Sequence, residues 1–241
     1  MAKALDAIDV AVLAGGLGTR LAATVPGLPK ALAPVAARPF VEHLLDWLGA
    51  QGARRIVFLL GHRAEQLEAH LANHPRARIA FETSIEPQPL GTGGAIGFAR
   101  AKLRSDPILV VNGDTFVDAD LAPMLAAHRR SGSPATLLAI EVADAARYGR
   151  LDIAGGRLQA FVEKDASFAG PAAINAGVYL LSQTLLARIA AQGPCSLEHD
   201  VFAALAPATL GVHLDRTARF VDIGTPESWH SAAAIVAKDV P

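Results

Sequence analysis

The apolar run Ile8–Ala14 stops at two consecutive glycines, a junction that places strong limits on the fold. From Val10 it reads Val-Ala-Val-Leu-Ala, continuous rather than alternating, as in a strand of a parallel sheet covered on both faces. Gly15, Gly16, Gly18, Thr19, Arg20 and Leu21 follow, and Pro29-Lys30 closes the segment. Glycines directly after a strand let backbone N–H groups approach an anion, and successive N–H groups form a concavity for it. Arg20 and Lys30 add two positive charges, so the segment reads as a polyphosphate holder. It is not a Walker A loop, because no Gly-Lys-Ser/Thr occurs, nor a dinucleotide fingerprint, because Leu21 stands where the third glycine should be. A lone Gly-x-Gly would read as a surface turn; the added Thr-Arg-Leu and Pro-Lys argue against that.

Strand and helix patterns alternate through the first 142 residues. Strands are expected at Ile8–Ala14, Arg55–Leu60, Arg78–Glu82, Ile108–Asn112 and Ala135–Val142. Helices are expected from Phe40 to near Gly52, over Ala64–Leu71 and Gly93–Leu103, and from an Asp120 cap to Arg130. This alternation predicts an α/β fold: a doubly wound, mostly parallel, Rossmann-like sheet with ligands at the carboxyl ends of its strands. The second half is mixed, with a hairpin around Ala154–Arg157 and strands at Ile174–Leu181 and Phe220–Ile223. Helices are expected over Glu198–Ala206 and from Pro226 to Lys238. No linker or repeat interrupts the chain, which reads as one domain over 1–241, with halves of about 1–142 and 143–241.

Acidic and basic residues nearly cancel, 23 against 22, which argues against a nucleic-acid-coating protein or a polybasic membrane binder. The single cysteine, Cys195, excludes a disulfide framework. Asp6 and Asp9 sit where a signal peptide would be apolar, and no run approaches a membrane span, so a cytoplasmic protein is expected.

Three further stretches carry chemistry. Glu86-Pro-Gln-Pro-Leu-Gly-Thr-Gly-Gly-Ala95 lies between a strand and a helix, where Gly91 and Thr92 would let a flat ring lie against backbone. Val110-Val-Asn-Gly-Asp114 is a buried strand ending in a carboxylate, and Phe220-Val-Asp-Ile-Gly224 repeats that pattern around Asp222. Asp is disfavoured in strands and unfavourable to bury unpaired, so both positions suggest a cleft. Hard carboxylate oxygens beside a polyphosphate holder imply Mg²⁺. Asp118-x-Asp120 could also bind metal, but helix capping accounts for Asp120. Glu163-Lys164 and Asn175-Ala-Gly177 would face the first loop across the cleft, with Lys164 at a second phosphate and Glu163 and Asn175 at sugar hydroxyls. A surface Lys–Glu pair is the simpler alternative. His70 and His74 could bind metal but precede Pro75, and cationic groups suit a helix end; Cys195 with His199 lacks the orienting third group that nucleophile chemistry needs.

Together these residues resemble the sugar-1-phosphate nucleotidylyltransferase family. The matching motifs are Gly15–Leu21 with Pro29-Lys30, Leu90–Gly94, Asn112–Asp114, Phe161–Lys164, Asn175–Tyr179 and Phe220–Gly224. Within the family, Glu86–Ile96, Asn112–Phe116 and Val221–Glu227 look most like guanylyltransferases acting on D-glycero-α-D-manno-heptose 1-phosphate. Mannose 1-phosphate guanylyltransferase and N-acetylmuramate or glucose 1-phosphate relatives remain as alternatives. The resemblance implies the nucleotide-diphospho-sugar transferase type of sheet. It implies a nucleotide site from Leu13, Gly15, Gly16, Gly18, Thr19, Glu86, Gly91, Thr92 and Asn112, with Arg20 at the triphosphate and Lys30 at the α-phosphate. Gly149, Glu163, Lys164, Asn175 and Gly177 would hold the sugar phosphate, and Asp114 and Asp222 would bind Mg²⁺. The expected partners are an NTP, GTP first, and a sugar 1-phosphate, with no nucleic acid, no membrane and a possible homo-oligomer. A glycosyltransferase with its metal at Asp118/Asp120, or a silent nucleotide-binding regulator, are readings from other classes.

Overall fold

The structure, a computed structural model, describes residues 3–16, 18, 21, 24–205 and 209–236. Its elements in chain order are β1 (Val10–Leu13), β2 (Pro34–Val35), β3 (Arg38–Pro39), α1 (Phe40–Ala50), β4 (Arg55–Leu60), α2 (Ala64–Asn73) and β5 (Ala80–Ile85). They continue with α3 (Gly91–Phe98), β6 (Ile108–Asn112), β7 (Thr115–Val117), α4 (Leu121–Ser131), β8 (Ala135–Val142), β9 (Arg150–Ala154), β10 (Arg157–Val162) and β11 (Ala172–Leu181). The last are α5 (Gln183–Gln192), a π-helical turn (Leu197–Phe202), β12 (Gly211–Asp215), β13 (Phe220–Asp222) and α6 (Pro226–Val236).

The main sheet has the order β5-β4-β1-β6-β11-β8-β12-β10-β9. β5, β4, β1 and β6 are parallel. β11 runs antiparallel between β6 and β8, and β12 is parallel to β8. Both faces are covered, which is why the strand patterns are continuous. Val10 and Val12 of β1, with Ile56, Phe58 and Leu60 of β4, face a core closed by α1, α2, α4 and α6. Ala11, Val57 and Leu59 face the opposite core, closed by α3, α5 and the π-helical turn. The sheet is thus the expected doubly wound, mostly parallel one with a mixed second half.

Several details differ from expectation. β8 does not follow β6 in the sheet, because β11 lies between them. Val178, Tyr179, Leu180 and Leu181 are buried on both sides of that strand, and such a strand needs two neighbours and two covered faces. β5 starts two residues later than expected and pairs residue for residue with β4 as far as Leu60↔Ile85. Helix α3 begins at Gly91, ends at Phe98 and passes into a short 3₁₀ turn at Arg100–Lys102. Helix α5 went unpredicted although its signal was present: Ser182 caps it by accepting from the Leu185 N–H, and Leu185, Leu186 and Ile189 are buried. β7 (Thr115–Val117) and β12 (Gly211–Asp215) were unpredicted because neither carries a run of apolar residues long enough to mark a strand. The predicted helix ends at Ala206 and Lys238 lie outside the described residues.

β9 also bridges β11 at Arg150↔Ile174, so β11, β8, β12, β10 and β9 curl back on themselves. This curled wall stands beside the carboxyl ends of β1, β4 and β6, where ligands of open α/β sheets bind. No helix among the described residues is long and apolar enough to cross a membrane.

One buried group makes the fold acid-sensitive. The His128 ring is buried in α4 with Nδ1 2.8 Å from Thr136 Oγ1, and burial pushes its pKa below the usual histidine range. The unfolded chain therefore binds the proton more readily, and stability falls as pH drops below about 6.5 towards the lower folded value. Thermal unfolding followed between pH 7 and 5 is expected to show a smaller fall for His128→Gln than for the native chain.

Candidate active site

The end of β1 is held on both sides. Ala14 N–H donates to Leu59 O at 2.9 Å, and Gly113 N–H donates to Leu13 O at 2.8 Å. The loops after β1, β4 and β6 therefore meet at Gly15, Gly61 and Gly113. Gly18 has φ +62°, and a Cβ there would stand 3.0 Å from Lys30 Cγ. Glycine at that position lets the lysine stem lie along the loop. Lys30, at the start of a 3₁₀ turn after Pro29, then places Nζ 3.0 Å from Asp114 Oδ2.

Asp222 reaches the same point from the far end of the chain. β13 pairs with β7 in the register Asp222↔Thr115, and Ile223 N–H donates to Asp114 O at 2.9 Å. Asp222 Oδ1 accepts from Gly224 N–H at 2.6 Å. Burial raises the Asp222 pKa above the usual carboxylate range, the Gly224 bond opposes this, the Asp114 charge adds to it, and Lys30 and Arg147 partly offset it. Two carboxylates held together in this way fit a divalent cation. Among the described residues no cluster of three or more His, Cys, Asp or Glu is placed to hold a metal. The chain thus offers one or two oxygens, the donor set that Mg²⁺ completes with phosphate oxygens and water.

Two cavities of similar size meet at this point. One, of about 610 Å³, is lined by Leu13, Gly15, Gly16, Lys30, Glu86, Gly91, Thr92, Asn112 and Asp114 among others. The other, of about 640 Å³, is lined by Tyr148, Gly149, Arg150, Glu163, Asn175, Gly177, Glu198 and Asp222, and again by Asn112 and Asp114. Asn112 and Asp114 are the shared wall. The first cavity is lined by Leu13, Gly15, Gly16, Glu86, Gly91, Thr92 and Asn112 of the residues expected at a nucleotide but not by Gly18, and the second by Gly149, Glu163, Asn175 and Gly177 of those expected at a sugar phosphate. Thr19 and Arg20 lie outside the described residues.

Some placements differ from expectation. Lys164 is exposed and does not line the second cavity, whereas Glu163 does. Neither residue forms an ion pair with the other. The second glycine cluster is tied to the segment before the π-helical turn. Gly93 and Gly94 N–H donate to Cys195 O at 2.9 and 3.1 Å, Cys195 N–H donates to Leu90 O, and Leu197 N–H donates to Thr92 Oγ1. The N–H groups of Gly93 and Gly94 are thus used within the chain, while Gly91 and Thr92 line the first cavity. Glu86 Oε2 accepts from Leu90 N–H at 3.0 Å, and its other oxygen lies beside Gly15 and Gly61.

Both amide hydrogens of Asn175 are engaged. Its Nδ2 donates to Tyr179 Oη at 2.9 Å and to Glu198 Oε1 at 2.5 Å, and its Oδ1 accepts from Gly177 N–H at 2.9 Å. The strand bulges between Asn175 and Tyr179, and at Gly177 (φ +71°) a Cβ would stand 2.6 Å from Asn112 Nδ2. Glu198 was expected only to open a helix; its role depends on contacts with residues 19 and 23 positions away.

The other candidates have structural partners. Asp118 pairs with Arg219, and Asp120 caps α4 by accepting from Ala122 N–H at 2.9 Å. Asp120→Ala is expected to lower stability by about 1 kcal/mol. Turnover and its metal requirement should stay unchanged, as steady-state rates with graded Mg²⁺ would check. The His70 and His74 rings stack on each other, His70 Nε2 is 2.7 Å from Glu42 Oε1, and the Cys195 thiol is buried with its pKa raised.

The chain resembles proteins with related names. It is 32% identical over 227 residues to the D-glycero-alpha-D-manno-heptose 1-phosphate guanylyltransferase of Aneurinibacillus thermoaerophilus, covering 93% of this chain and 96% of that protein. It is 32% identical over 237 residues to the mannose-1-phosphate guanylyltransferase of Mycobacterium tuberculosis, covering 97% of this chain but only 66% of that longer protein. The crystal structure of HddC from Yersinia pseudotuberculosis superposes with a TM-score of 0.84 at 31% identity, over 94% of this chain and 98% of the other. That protein has also been solved complexed with GMP-PN. The model of the nucleotidyl transferase family matches residues 10–239, and the chain belongs to that family.

Proposed function

We propose that the protein transfers a guanylyl group from GTP to a sugar 1-phosphate, D-glycero-α-D-manno-heptose 1-phosphate first, releasing pyrophosphate. The observation that carries this is the pair of cavities sharing Asn112 and Asp114, with Lys30 on the first side and Asp222 on the second. Two phosphorylated ligands can meet at one charged wall there, as a phosphoryl-transfer reaction between them requires. A glycosyltransferase metal site at Asp118/Asp120 is disfavoured, because those carboxylates are occupied by Arg219 and the α4 cap.

The acceptor needs little activation, because the second pKa of a phosphate monoester is about 6 and its oxygen is already anionic at neutral pH. That oxygen forms a bond to the α-phosphorus as the bridging bond to the β-phosphate breaks in line. The electron pair leaves with pyrophosphate, and no proton has to be removed. The protein's work is positioning and charge neutralisation. Lys30 neutralises charge at the α-phosphate, Asp114 and Asp222 would hold the cation, and the glycine loop lets the phosphates lie close to backbone. Mg²⁺, when bound, supplies further neutralisation of the leaving and reacting oxygens.

Guanine is supported by the names of the relatives and by Glu86, whose second oxygen can accept from the base's N1–H and amino group. Heptose stands first on the resemblance of Glu86–Ile96, Asn112–Phe116 and Val221–Glu227 to heptose 1-phosphate guanylyltransferases; the heptose and mannose relatives are each 32% identical to this chain.

Pyrophosphate release screened over five NTPs and a panel of sugar 1-phosphates, with and without Mg²⁺, tests the proposal. GTP with the heptose should give the highest kcat/KM. Preference for UTP or dTTP would overturn the guanylyl assignment and leave the reaction class intact. Release from no pair would overturn both.

A further inference from the structure

The second cavity contains an acidic group to which nothing above gives a role. Glu198 lies on the π-helical turn, an irregularity often found at functional sites, and lines the cavity together with Asn175 and Gly177. Its Oε1 receives two donors, Asn175 Nδ2 at 2.5 Å and Tyr179 Oη at 2.7 Å. Its Oε2 makes no hydrogen bond among the described residues and is not sealed in the core. One oxygen is locked, and the other is left without a partner among the described residues.

Asn175 is in the opposite situation. Its Nδ2 is shared between Tyr179 and Glu198, and its Oδ1 holds the Gly177 N–H across the bulge. An asparagine side chain has two amide hydrogens and a carbonyl oxygen with two lone pairs. Both hydrogens are committed here, so Asn175 has no donor left for a sugar and only one lone pair of Oδ1. The buried Tyr179 hydroxyl donates to Glu198 and, with that carboxylate against it, stays protonated. The hydrogen-bond direction along Tyr179–Glu198 is therefore set, and the carboxylate is fixed in orientation before any ligand arrives.

We propose that Glu198 is the specificity-determining residue of the sugar half-site. In this reading its free oxygen accepts from a hydroxyl of the bound sugar, while Asn175 and Tyr179 act as positioning residues that hold the carboxylate. The inference rests on the sugar-phosphate reading of the second cavity and reassigns the sugar contact within it. A carboxylate with an open lone pair in a partly dry cavity discriminates strongly, because an analogue lacking the matching hydroxyl leaves the charge unpaired. The ligand class is a sugar 1-phosphate with a free ring or side-chain hydroxyl facing the π-helical turn.

The experiment uses the full chain, GTP, the best sugar 1-phosphate from the screen and its monodeoxy analogues, with pyrophosphate release as the readout. Glu198→Gln keeps the shape and an acceptor for Asn175 and Tyr179, but turns a donor towards the sugar. It is expected to raise the sugar KM about tenfold, leave the GTP KM within twofold, and flatten the ranking of the deoxy analogues. Loss of that ranking is something a merely structural role would not produce. A Glu198→Gln enzyme with the native sugar KM and the native ranking would overturn the proposal. If that variant also loses GTP binding, Tyr179→Phe decides on the same readouts. It keeps the carboxylate and only removes one of its holders, so a raised sugar KM with weakened ranking supports the proposal and native values overturn it. Native enzyme that turns over no sugar 1-phosphate at all would instead remove the underlying reading of the cavity.

Discussion

Lys30→Ala is expected to lower kcat about 10²–10³-fold, the loss seen when a fixed transition-state charge donor is removed. The geometry makes the position specific. The stem is held along Gly18, and Nζ is 3.0 Å from Asp114, at the wall that both cavities share. The side chain is 25% exposed, so its charge is neither freely mobile nor buried without a partner. Lys30 lines the first cavity and not the second, so on the proposed function the sugar KM should move little. Lys30→Arg should rescue poorly, because a planar fork cannot take the place of a compact ammonium between Gly18 and Asp114. Pyrophosphate release at saturating substrates measures all three effects. Turnover of Lys30→Ala within threefold of the native rate would remove Lys30 from the reacting phosphorus.

What could be read in the sequence was whatever is locally anomalous. An apolar run that ends in glycines announces the carboxyl edge of a buried sheet, and an Asp at the tip of such a run announces a cleft. Asp114 and Asp222 were therefore visible 108 positions apart. The insertion of β11 between β6 and β8 was not visible, since its apolar residues say that it is central but not whose neighbour it is. Lys164 shows a different limit. β10 ends at Val162, so Lys164 lies beyond it in irregular chain, where no strand alternation fixes which side chains face the cavity. Reasoning from strand ends does not reach that far. Glu198 was hidden because its meaning comes from a strand bulge and a π-helical turn, and because Cys195–Leu197 is fastened to a glycine cluster about a hundred positions earlier.

Asp222→Asn is expected to have two effects of opposite sign. Removing one of two carboxylate ligands should raise the Mg²⁺ concentration for half-maximal rate, and lower the rate at fixed Mg²⁺, by at least about 10–100-fold. The same change should raise the melting temperature of the metal-free protein. Burial and the Asp114 charge already push the Asp222 pKa up, so its ionised form is disfavoured in the folded state relative to the unfolded chain at neutral pH. Asparagine removes that repulsion while its Oδ1 can still accept from Gly224 N–H. Melting curves in chelator, set beside rates over a Mg²⁺ titration, separate the two effects. A variant that melts lower and is equally slow at every Mg²⁺ concentration would make Asp222 a structural acceptor for the β13 turn. The opposed signs are specific to a ligand position, because a carboxylate kept only for the fold gains nothing from lying buried beside a second one.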